Sequence, residues 1–172
     1  MMKCTFSFFV FVLSIATAIS CSDQSSSSSS NTFKIQPGDV TTITPNLTGK
    51  GTSFNVTFDS TEYSVNTDAY AIIISNVNNT GNVGIAFGTD PKSNRSFKVF
   101  IYYAGDLTSG SKSGTVTVIE NGVKFTNTSA SIIINSISGP TDNVYDINLS
   151  NITDIGGKTL QFNSNIKAYL VQ

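Results

Sequence analysis

From Phe33 onward, apolar residues recur at every second position, and this period constrains the fold more than any other feature of the chain. Phe54-Asn-Val56-Thr-Phe58 alternates, as do Phe97-Lys-Val99-Phe-Ile101-Tyr-Tyr103 and Tyr145-Asp-Ile147-Asn-Leu149. Leu160-Gln-Phe162-Asn-Ser164-Asn-Ile166-Lys-Ala168 continues the pattern. Successive side chains of a strand point to opposite faces, so alternation puts one face on a core and the other in water. A helix needs its apolar stripe at 3.6, and no window of about 12 residues carries one. Ala71-Ile72-Ile73-Ile74 and Ile132-Ile133-Ile134 are continuously apolar, as expected of central strands covered on both faces or of strands under a loop.

Turn chemistry separates these runs. Asn121-Gly122, between Val118-Ile-Glu and Val-Lys-Phe125, supplies two residues that tolerate positive φ and predicts a type I′ hairpin. Gly156-Gly157, between the Tyr145 and Leu160 runs, predicts a second. Thr108 to Gly114 and Gly88 to Pro91 read as looser connections, and Pro37-Gly38 and Pro45 punctuate the first strands. The expectation is an all-β protein: an antiparallel β-sandwich of roughly eight to ten strands, with a β-barrel-like closure as the alternative.

The N-terminus is organised differently. Lys3 is followed by an apolar run from Phe6 to Ile19, then by Ala18-Ile19-Ser20-Cys21, Ser22-Asp23-Gln24 and the serines Ser25 to Ser30. A positive start, an apolar stretch and small residues before a cut make a secretory signal. The stretch is too short and too Ser/Thr-interrupted for a span of about 20 apolar residues. Residues 1–20 are thus expected to be a signal peptide, 21–32 a flexible tether and 33–172 a single β-domain. Cleavage falls either before Cys21 or at an ordinary signal-peptidase position nearby. Cys4 lies in the signal, so no disulfide is expected in the exported chain and its stability must come from its core.

Ala18-Ile19-Ser20-Cys21 resembles the bacterial lipobox, whose cysteine becomes the acylated first residue, with alanine standing here where leucine is commonest. The order of cysteine, polar tether and β-domain is similar to lipoproteins of the Bacteroidota. Ser113 to Asn127 and Gly157-Lys-Thr-Leu-Gln-Phe-Asn163 likewise resemble the C-terminal half of small lipoproteins of unassigned role from that group. The resemblance implies lipidation at Cys21, anchoring through acyl chains and an outer-membrane address, and it carries no catalytic residues. Acyl chains bury roughly 0.8 kcal/mol per CH₂, enough for stable anchoring when several are attached. The rival address is a secreted eukaryotic glycoprotein. Seven Asn-X-Ser/Thr sequons begin at Asn46, Asn55, Asn78, Asn94, Asn127, Asn148 and Asn151. About five would arise by chance in a chain so rich in Asn, Ser and Thr, so the excess decides nothing.

The chain has no histidine, which removes Ser-His-Asp and Cys-His catalysis and His-ligated zinc. It has no Gly-rich phosphate loop. No catalytic residue and no cofactor are expected, and the protein reads as non-enzymatic. Net charge is −1, or −2 once Lys3 leaves with the signal, and Arg95 is the only arginine. Nucleic acid is therefore not an expected partner. Binding, adhesion or a structural accessory role at the envelope remains, with a glycan or protein as partner. A carbohydrate-binding or carbohydrate-active module is the alternative. Its sign would be an exposed tyrosine beside two convergent acids in a concave site. Tyr102 and Phe100 share a strand face and are ligand-contact candidates, unless a second layer covers them. Asp142, Asn143 and Asp146 are calcium candidates by ligand type, although they lack the spacing of an EF-hand loop.

Overall fold

The computed structural model describes residues 47–69, 72–75, 81–89 and 95–170. The signal peptide, Cys21, the serine tether and the sequons at Asn46, Asn78 and Asn94 lie outside the described residues. So do Pro37-Gly38, Pro45 and the 90–94 stretch. Eleven strands run through the rest, with no helix among the described residues. They are β1 (Phe54–Phe58), β2 (Thr61–Val65), β3 (Ile72–Ser75), β4 (Asn82–Gly88), β5 (Phe97–Ala104) and β6 (Gly110–Glu120). Then follow β7 (Val123–Thr141), β8 (Val144–Leu149), β9 (Ile152–Ile155), β10 (Lys158–Phe162) and β11 (Ile166–Leu170).

Four two-residue turns do much of the folding work. Asp59-Ser60, Asn121-Gly122, Asp142-Asn143 and Gly156-Gly157 all hold positive φ at both positions. That geometry matches the right-handed twist of the flanking strands. They set the pairs Phe58↔Thr61, Glu120↔Val123, Thr141↔Val144 and Ile155↔Lys158. Both hairpins predicted from glycine are present. The second joins β10 to β9, a short strand after the Tyr145 run that alternation did not single out.

The strands form two sheets. One has four strands in the order β2-β1-β10-β9; the other closes on itself in the order β11-β3-β4-β5-β6-β7-β8. All pairings are antiparallel except β3 with β11, which completes the ring. Sandwich and barrel are thus combined: a small sheet packs on a ring, and one core serves both. Phe54, Val56, Phe58, Tyr63, Ile152 and Leu160 of the small sheet share that core with Phe87, Phe97, Val99 and Ile101 of the ring. The Phe54 and Phe87 ring centroids are 5.0 Å apart, and Tyr63 stacks on Phe97 at 4.0 Å and 6°.

Several local expectations change. Ile132 and Ile134 are buried, but Ile133 between them is 42% exposed, so this run faces a core on one side only. Among the residues whose burial is described, β4 is covered on both faces, with Val83 to Gly88 all buried; the side chains of the Ala71–Ile74 run lie outside the described residues. Small residues on its outer face (Gly84, Ala86 and Gly88) allow that. Part of the connection expected over Thr108 to Gly114 belongs to β6. The alternating run from Leu160 to Ala168 is two strands in different sheets. Asn163 makes the crossing: its Nδ2 donates to Asn55 Oδ1 and Thr57 Oγ1, both at 2.9 Å.

Candidate functional site

An open groove of about 590 Å³ lies on the outer wall of the ring. Its floor comes from β8 and β11, where Asp146 and Lys167 are directly opposed in the register. One wall is the turn Gly49-Lys50-Gly51 and the other is the β7–β8 hairpin from Ser138 to Asp142. Both walls are held. Lys50 N donates to Leu47 O at 3.0 Å, closing a turn with Gly49 at φ 74. Leu47 is buried, and Thr52, also buried, donates its hydroxyl to Ala69 O while accepting Ala69 N at 3.0 Å on its own carbonyl. On the far side, Gly139 follows a register shift and precedes Pro140 through a cis bond. A Cβ at Gly139 would meet Val144 O at 2.7 Å, so only glycine lets the hairpin lie this close to β8.

The groove carries two lysines and two aspartates, and none of the four makes an ion pair among the described residues. Lys50 Nζ sits over the Tyr169 ring, 5.0 Å from its centroid. Lys167 joins β11 to the chain before β1 through backbone bonds with Ser53 of 2.9 and 3.1 Å. Its side chain makes no hydrogen bond or ion pair among the described residues.

Asp146 is differently placed, because a chain of amides ends on it. Ser150 Oγ donates to Asn135 Oδ1 (3.2 Å) and Asn135 Nδ2 to Asn148 Oδ1 (2.6 Å). Asn148 Nδ2 donates to Asn165 Oδ1 (2.7 Å), and Asn165 Nδ2 to Asp146 Oδ1 (2.5 Å). The ladder crosses β7 and β8 and reaches Asn165, just before β11, on their exposed face. Every donor in it points toward the carboxylate.

A second charged cluster lies between the two sheets. Lys158 Nζ is 2.7 Å from Asp59 Oδ2 and 3.7 Å from Glu120 Oε2, and 4.4 and 5.3 Å from the Phe125 and Phe58 ring centroids. Tyr63 donates its hydroxyl to Glu120 Oε1 at 2.6 Å. Burial, then this hydrogen bond, pushes the Tyr63 hydroxyl up to about 12. The bond to Asp59 raises Lys158, against a desolvation that lowers it. These groups tie β2 and β10 of the small sheet to the end of β6. They are occupied with one another.

The residues singled out from sequence divide accordingly. Asp142 and Asp146 both line the groove. Asn143 serves the hairpin turn, and its carbonyl accepts Leu170 N at 2.8 Å. No group of three or more His, Cys, Asp or Glu that could hold a metal occurs among the described residues. Phe100 is 7% exposed and Tyr102 half-buried, so Tyr102 alone of that pair is reachable from solvent. Cys21 lies outside the described residues.

Lys50, Lys167 and the asparagines were not singled out, although signals existed. Gly-Lys-Gly within Thr48 to Thr52 reads as ordinary turn composition, and nothing local separates Lys167 from any other outward lysine. Asparagine is depleted in strands, so Asn135 and Asn148 at outward strand positions were a visible anomaly. Compared with known proteins, the chain matches no family model, no curated protein and no solved structure.

Proposed function

We propose that this is a lipid-anchored envelope protein, non-enzymatic, whose β-domain binds a polar ligand in the Lys50–Lys167 groove. The observation that carries the binding role is charge of both signs, with no ion pair among the described residues, around an open concavity whose walls are hydrogen-bonded. Charged side chains on a purely structural surface gain little by pairing and cost little unpaired. Here, however, four of them surround one groove, with Asp146 oriented by the amide ladder and Lys50 seated over the Tyr169 ring. The hydroxyls near them, on Ser138 and Thr141, have no histidine to activate them, which favours binding over catalysis.

Anchoring is supported by the order of Lys3, the apolar run, Ala18-Ile19-Ser20-Cys21 and the serines. Cleavage before Cys21 leaves a thiol for acylation. The outer membrane is the address this order supports best, with a glycan or protein as partner.

Intact mass of the protein extracted from membranes, with protease shaving of whole cells, tests the anchor. An N-terminus at Cys21 carrying acyl mass is expected, and loss of the domain on shaving would put it on the outer face. A bare Cys21, a cut elsewhere or occupied sequons would overturn the lipoprotein reading and make secretion the address.

A further inference from the structure

We infer that the groove takes a glycan, and that the asparagine ladder beside it is the second half of one recognition track. This rests on the groove being the ligand site. The charge pattern selects the ligand class. A polyanion would meet Asp142 and Asp146, and a polycation would meet Lys50 and Lys167. Val144 is the one aliphatic side chain of the lining, which offers little to an acyl chain or an aromatic ligand. A neutral polyhydroxylated chain suits both signs at once, since each hydroxyl both donates and accepts.

Asp146 and Lys167, opposed across β8 and β11, stand about 5 Å apart at Cβ. Adjacent hydroxyls of a sugar ring can bridge them, one donating to the carboxylate and the next accepting from the ammonium. Asn165 occupies Oδ1 of Asp146, and no bond to Oδ2 is recorded among the described residues. The acceptor is thus oriented before a ligand arrives, which lowers the ordering cost of binding.

The ladder extends the same chemistry. Each amide uses one N–H and one lone pair on its neighbours, and each has a second N–H. Three strands lie across about 10 Å, room for more than one sugar ring outside the groove. Asparagine weakens strands, so this row gives up β-propensity at exposed positions where hydrogen bonds return little stability. Ligand recognition accounts for that placement.

The test uses the full-length chain in detergent against immobilised neutral hexose oligomers, N-acetylhexosamine oligomers, uronate-containing oligomers and a peptide panel. Capture by a neutral series, tightening with oligomer length, is expected. Asp146→Ala or Lys167→Met should weaken it on the order of tenfold, the loss of a charged hydrogen bond, and Asn148→Ala about threefold. Glu120→Gln, in the other cluster, should leave it unchanged, with melting temperature read for every variant. Peptide capture abolished by Lys167→Met would overturn the glycan and leave the groove as a binding site. Uronate-only capture would overturn the neutral class. Glycan capture indifferent to all three groove and ladder variants would overturn this site for the glycan, and no capture of any probe would overturn both readings.

Discussion

The Lys158 cluster and the Lys50–Lys167 groove are built from the same residue types and end in opposite states. At Lys158 one ammonium is shared between Asp59 and Glu120 and backed by two aromatic rings. Glu120 is engaged again by Tyr63, which is itself stacked on Phe97. In the groove, two ammonium groups and two carboxylates surround about 590 Å³ without an ion pair among the described residues. The depression beside Asp59 and Lys158 is smaller, at about 230 Å³. The first cluster spends its charges on joining two sheets; the second keeps them available. Charge clustering alone therefore does not mark a site.

The sharpest way to break the first cluster is through its floor. Phe97 is fully buried against Tyr63, Phe54 and Phe58. Phe97→Ala should cost about 3–5 kcal/mol in urea unfolding, since a cavity replaces an aromatic ring. A loss below about 1 kcal/mol would mean that the sheets are held elsewhere. Next comes Tyr63→Phe, which removes the charged hydrogen bond to Glu120 and should cost about 2 kcal/mol by the same measurement.

Alkali separates two tyrosines. Tyr63 and Tyr103 both titrate near 12, above the ordinary value near 10. Burial, then the charge of Asp106, raises Tyr103, whose hydroxyl has no hydrogen-bond partner among the described residues. Both folded pKa values are raised, so their contribution is complete below about pH 10 and is lost as pH climbs through 12. Unfolding followed from pH 8 to 12 should show that decline. Tyr103→Phe should make it shallower and, by removing a buried orphan hydroxyl, raise neutral-pH stability by about 1 kcal/mol. A destabilised Tyr103→Phe would mean that the hydroxyl does have a partner.

The smallest effect is the most telling for the comparison. Lys167→Met should change stability by less than about 0.5 kcal/mol, as for an unpaired surface charge, whereas Lys158→Met should lower the melting temperature visibly. Equal losses would erase the distinction between the two regions.

Much of the fold was legible in the residues themselves. Phe97, Val99, Ile101 and Tyr103 are buried as their alternation requires, and Asn121-Gly122 turns where two positive φ values are needed. The Asp59-Ser60 turn was less legible because neither residue announces positive φ as glycine does. Leu160 to Ala168 misled because alternation continues unbroken while the chain changes sheets at Asn163. Of the groove, Asp142 and Asp146 were visible as ligand-type side chains, one in a turn and one on a strand, but their neighbours were not.

The sequence by itself determined an all-β chain, the faces its strands present, the hairpins marked by glycine and the absence of histidine chemistry. Each depends on local stereochemistry or composition, which no distant residue can alter. Only the tertiary structure decided that β11 pairs in parallel with β3 and antiparallel with β8, closing the ring. That pairing sets Lys167 opposite Asp146 and brings both under the Gly49–Gly51 turn, more than a hundred residues away from Lys167 in the chain. A period of two says which way a side chain points. It does not say which strand will lie beside it, and in this protein the neighbouring strand separates a spent charge from an available one.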